Sequence, residues 1–173
     1  MHRYRITSRL FFCVIAAAST PARPFAQERP APVVEFAAGW LSFPDDGVVR
    51  EAMVGSAARW YVSPRLAIGP EISYVSGRNH SHFIATGNLT WDILSPASGA
   101  PRLVTPFLVA GGGLYQTREQ FPVGPYTSGE GAFTAGGGVR ARAGNRVTVG
   151  VDARIGWELH LRINGLVGVR LGP

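Results

Sequence analysis

From residue 31 to the C-terminus, apolar residues alternate with polar or small ones in segments of about ten, each closed by turn formers. The stretch 147–171 carries the pattern most clearly. Val147, Val149, Val151, Ile155, Leu161, Val167, Val169 and Leu171 share one parity, and Asp152, Arg154, Glu158, His160, Arg162, Asn164 and Arg170 share the other. Side chains of a strand point alternately to its two faces, so one face suits hydrocarbon and the other a polar interior. A bilayer offers no water to unpaired backbone groups, and only helices and closed barrels span it.

The alternation predicts eight strands, at about 33–43, 49–62, 66–76, 83–93, 104–116, 131–142, 146–156 and 160–171. Tight turns are expected at 63–65 and 143–145, a polar loop at 77–82, and the longest loop at 117–129. The last hairpin keeps its facing parity, which requires an odd-numbered tip around Trp157 to Leu159. An even strand count, with tight turns on the side of the termini and the longest loop on the other, is the asymmetry of a bacterial outer-membrane barrel. The segment 95–102 is a longer connection on the short-turn side. The fold class expected is all-β: an eight-stranded antiparallel up-and-down transmembrane β-barrel.

The first residues change the setting. Arg3, Arg5 and Arg9 precede an apolar run at 10–18, then small residues up to Pro24-Phe25-Ala26. That order is expected of a secretory signal read by the Sec pathway and cut after Ala26, and the run is too short to cross a membrane as a helix. Residues 1–26 are thus assigned to the signal, 27–32 to a linker and 33–173 to the barrel domain. Cys13, the one cysteine, falls in the signal, so a mature chain has no thiol chemistry. Charge changes as well. The formal net charge is +6, from 17 basic residues, all arginine, against 11 acids. Arg3, Arg5, Arg9 and Arg23 leave with the signal, which lowers the balance to about +2 and gives a nucleic-acid partner little electrostatic support.

Aromatic residues supply an independent mark. Trp40, Trp60, Tyr74 and Trp91 fall on the outward parity near the strand ends, where amphipathic rings favour the headgroup level of a bilayer. A water-soluble barrel with these rings in its core is the competing reading. Lumen parity argues against it: Glu35, Glu51, Glu71, Asp92, Asp152 and Glu158 share it with Arg59, Arg140, Arg142, Arg154, Arg162 and Arg170. Such a lining does not make the apolar pocket of a lipid carrier. It fills a narrow barrel as a neutralised plug, with Glu71, Asp152, Arg140, Arg154 and Arg162 expected as its network. Gly55, Gly69, Gly111, Gly113, Gly136, Gly138, Gly150 and Gly168 share the parity and leave room for long arginine side chains. No through-going pore is expected.

The runs 58–65 (ARWYVSPR), 69–74 (GPEISY), 106–113 (PFLVAGGG) and 167–171 (VGVRL) resemble the small outer-membrane β-barrel family of the OmpA and OmpX sort. The resemblance covers most of the chain after the signal and implies an architecture in the outer membrane of a Gram-negative-type bacterium. It does not imply an activity. Members usually end in an aromatic residue, whereas this sequence ends Leu171-Gly172-Pro173.

Local motifs add little chemistry. His80, Ser81 and the later Asp92 invite comparison with outer-membrane lipid A deacylases, whose His and Ser are one residue apart; here they are adjacent, and Asp92 sits at the far end of its strand. His80 and His82 make at best a weak metal pair, because no third ligand is near in sequence. They are read as part of a solvated loop. Gly111–Gly113 and Gly136–Gly138 lack the strand-to-helix junction of a phosphate loop. Glu158 and His160 are expected to pair with Arg154 or Arg162. No catalytic residue, cofactor or metal is assigned. The function expected is that of a non-enzymatic, monomeric barrel with a structural or surface-interaction role. Outer-membrane lipid surrounds it, and lipopolysaccharide or an external partner meets loop residues Arg78, His80, His82, Phe121 and Tyr126. A lipid-modifying enzyme and a soluble periplasmic carrier are the alternatives.

Overall fold

A computed structural model describes residues 29–43, 49–78, 80–94, 103–122 and 124–172. The assigned signal, the start of the linker, residues 44–48 and the segment 95–102 lie outside the described residues. The strands are β1 (Val33–Phe43), β2 (Val49–Tyr61), β3 (Leu66–Ser76), β4 (His80–Asp92), β5 (Val104–Phe121), β6 (Gly124–Arg142), β7 (Val147–Gly156) and β8 (Leu161–Arg170). Each pairs antiparallel with its sequence neighbour, and β1 closes on β8 from Val33↔Arg170 to Ser42↔Leu161. The expected architecture is therefore the one observed. Closure pairs the backbone groups of every strand within the barrel and abolishes a sheet edge there.

The boundaries of β1 and β3 match the alternation, and those of β2, β7 and β8 fall within a residue of it. Three boundaries differ. β4 begins at His80, so the expected 77–82 loop shrinks to a turn closed by the Gly77 N–H donating to the His80 carbonyl. β5 and β6 run on to Phe121 and back from Gly124, replacing the expected 117–129 loop with a long hairpin. The residues from Tyr115 to Phe121 and from Tyr126 to Ser128 hold extended backbone, and Gly124 takes the positive φ of 133° that the tip needs. The polar composition of this segment conceals a hairpin that satisfies its own backbone.

The alternation sorts side chains as expected. Phe36, Val54, Ile72, Leu108, Val151 and Val167 are large apolar residues exposed on the outer face. Inside, Leu41, Met53, Val75, Ile84 and Tyr115 pack into one apolar cluster, and Phe107, Val109 and Leu166 into another. The interior is therefore layered, and apolar plugs alternate with the charges. Gly136 and Gly138 lie where a Cβ would press on the Ala153 and Val151 carbonyls of β7. These lumen-parity glycines let neighbouring backbones approach, beyond merely making space for arginine.

Candidate functional site

Four regions carry the residues singled out by the sequence. The first is the charged lumen. Toward the end that bears the termini, Glu35 Oε2 accepts from Arg59 Nη2 at 2.9 Å and Arg140 Nε at 3.0 Å. Arg140 also lies 3.5 Å from Asp92 and 3.4 Å above the Phe107 ring, and the Tyr61 hydroxyl donates to Asp92 at 3.0 Å. Deeper in, Glu71 accepts from Arg154 at 2.8 Å, Arg162 at 2.5 Å and Asn88 at 2.8 Å. Asp152 accepts from Arg154 at 2.6 Å and Asn164 at 2.9 Å.

Among the described residues, four acids (Glu35, Glu71, Asp92 and Asp152) thus meet four arginines (Arg59, Arg140, Arg154 and Arg162), all buried. Charges removed from water are costly unless paired, and each of these has an opposite charge beside it, in one group around Glu35 and Asp92 and a second around Glu71 and Asp152. The voids between these side chains are about 10 Å³ each, too small for a water file. A larger pocket of about 130 Å³ opens at the terminus side, lined by Arg59, Asp92, Arg142 and Arg170 among others. Arg142 and Arg170 therefore belong to the mouth, where they are only partly buried.

The second region is the opposite, distal mouth. His80 and His82 are not solvated loop residues: both stand on β4, and period 2 turns them to the lumen. His82 is buried, and Glu51, from β2, is buried against both rings rather than paired with an arginine. Glu51, His80 and His82 bring one ligand-type atom each to within 4.8 Å of the others. The third ligand that sequence spacing lacked arrives from two strands away. Arg78 remains exposed in the turn.

Glu158 does not reach the lumen. It sits at the exposed tip Trp157–Leu159, where partial burial and the nearby Glu130 and Glu119 carboxylates push its own carboxyl above the ordinary range. His160 is buried but is held by the Trp157 carbonyl through Nδ1, so the expected pairing of Glu158 and His160 with Arg154 or Arg162 is not formed.

The third region is the projecting hairpin. β4 pairs with β5 only as far as Glu119, and β7 pairs with β6 only from Thr134. Residues Gly124–Phe133 therefore form a strand edge with no β7 partner. Phe121 and Tyr126 are strand residues here, not loop residues, and are 50% and 57% exposed. Glu119↔Tyr126 and Phe121↔Gly124 pairing puts both rings on the hairpin face that continues the lumen side.

The fourth region is the outer face, where Trp40, Trp60, Tyr74 and Trp91 are 45–50% exposed. Trp60 and Trp91 lie near the terminus end of their strands, and Trp40 and Tyr74 toward the distal end. The deacylase-like set is not assembled: His80 and Asp92 occupy opposite ends of β4, about 40 Å apart at 3.3 Å per residue.

No family model matches this chain, and no curated protein matches it. Solved structures do. Neisserial surface protein A aligns with a TM-score of 0.64 at 12% identity, covering 81% of this chain and 96% of that one. The N-terminal β-barrel domain of Pseudomonas aeruginosa OprF aligns at 0.57 with 12% identity, covering 83% and 100%. Ail, the attachment invasion locus protein of Yersinia pestis, aligns at 0.56 with 7% identity, covering 82% and 98%. The chain is similar in fold to these small eight-stranded barrels.

Proposed function

We propose that this chain is an integral outer-membrane barrel with a non-enzymatic role in surface interaction or envelope structure. One observation carries the reading: a continuous apolar outer face surrounds an interior closed by paired charges. Water would not stabilise Phe36, Ile72, Leu108 and Val151 on an outer wall, whereas lipid does. A carrier needs an apolar cavity, and this lumen is filled by its own side chains. In this orientation the termini face the periplasm and the β5–β6 hairpin stands outside the cell. Its two exposed aromatics and the free edge of β6 are the recognition surface, since rigid rings and unpaired backbone are what partners engage. The fold of Ail, named for attachment, accommodates a surface role.

The test is fractionation followed by electrophoresis of the unheated and boiled protein. The chain is expected in the outer-membrane fraction, released only by detergent, with faster migration before boiling. Quantitative release as a soluble periplasmic protein, with no heat-dependent shift, would refute the proposal.

A further inference from the structure

Glu51, His80 and His82 stand apart from the arginine network and follow a different chemistry. Glu51 is the third residue of β2, while His80 and His82 are the first and third of β4. β3 lies between the two strands, so the three side chains converge across a corner of the distal mouth rather than along one ladder. Glu51 Oε1 contacts His80 Nε2. Glu51 Oε2 and His82 Nε2 face each other at 3.7 Å, too far for a hydrogen bond, and both atoms are buried without any hydrogen-bond partner. Two such orphans would each cost free energy if nothing joined them.

The surroundings favour a cation at that position. His82 Nδ1 lies 3.0 Å from Thr117 Oγ1. With Nδ1–H donating to the hydroxyl, Nε2 presents its lone pair toward the carboxylate, the tautomer a metal-binding histidine needs. The His82 ring is fixed by Phe43 and Tyr115, at centroid distances of 5.5 and 5.1 Å. His80, whose side chain is 33% exposed, leaves a way in from solvent. Tetrahedral ligands at about 2.0–2.1 Å from zinc stand about 3.3 Å from one another, so with all three atoms within 4.8 Å the wider pairs need a contraction and the touching Glu51 Oε1 and His80 Nε2 a small separation. Two imidazoles and one carboxylate select a borderline transition metal over Mg²⁺ or Ca²⁺, which prefer oxygen ligands.

We infer that the distal mouth binds one divalent transition-metal cation of the zinc class through Glu51, His80 and His82, with a fourth position open to water. The ion ties β2 to β4 across β3 and fastens the mouth beneath the projecting hairpin.

The experiment is a calorimetric titration of the untagged, chelator-treated barrel in detergent micelles with Zn²⁺ alone, in the presence of millimolar Mg²⁺. One ion per barrel is expected, with a dissociation constant on the order of micromolar or tighter. The His80→Ala/His82→Ala variant is expected to lose affinity by on the order of a hundredfold, while its circular dichroism and heat-dependent migration stay those of the wild type. Should removal of the buried His82 disturb folding, His80→Ala alone removes a partly exposed ligand at the strand end and is expected to weaken binding by about tenfold or more. Absence of saturable Zn²⁺ binding by the wild type would overturn the inference. Equal stoichiometry and affinity in a folded His80→Ala variant would do the same.

Discussion

At the scale of single residues, the arginine network is where charge and position meet most tightly. Glu71 joins Arg154, Arg162 and Asn88, and only voids of about 10 Å³ adjoin it. Glu71→Gln takes the carboxylate from the buried Arg162 and leaves Arg154 with Asp152 alone. Its expected effect is a loss of about 3–5 kcal/mol in unfolding free energy, the range for breaking a buried pair, against about 0–1 kcal/mol for an exposed one. Urea titration of the barrel in micelles measures the difference, and a loss under 1 kcal/mol would place the group in contact with water. Parity in the sequence identifies Glu71, Asp152, Arg140, Arg154 and Arg162 as interior. It does not say which partner each takes, because that depends on the stagger between strands that are distant in the chain.

Individual strands show what a period of 2 reveals and what it hides. β1 and β3 are legible because clean alternation is bounded by Pro, Gly and Ser. The extension of β5 and β6 is not legible, because above the membrane-facing band both faces are polar and alternation has no burial to report. His80 and His82 escape for a related reason: polar residues at the start of a strand resemble the loop before it. Beyond the Glu119↔His80 pair the hairpin tip pairs only with itself, so Phe121→Ser with Tyr126→Ser is expected to change stability by no more than about 0.5 kcal/mol. Under the proposed recognition role, the same pair of changes is expected to abolish any surface binding the barrel shows on whole cells. Collapse of assembly in this variant would show that the two rings serve the fold.

For the whole molecule, eight strands set a radius that side chains can fill, and this sequence fills it in layers of paired charge and apolar packing. A barrel so closed is expected to give no stable conductance steps in planar bilayers. Large, long-lived ionic currents would mean that the arginine layer opens. The central claim is that the outer wall faces lipid, and fluorescence quenching tests it most directly. The protein is folded into vesicles whose acyl chains carry bromine, with single-tryptophan variants retaining Trp40, Trp60 or Trp91. All three outward-facing rings are expected to be strongly quenched by bromine in the chains and weakly by iodide in solution; strong iodide quenching without bromine quenching would contradict the account.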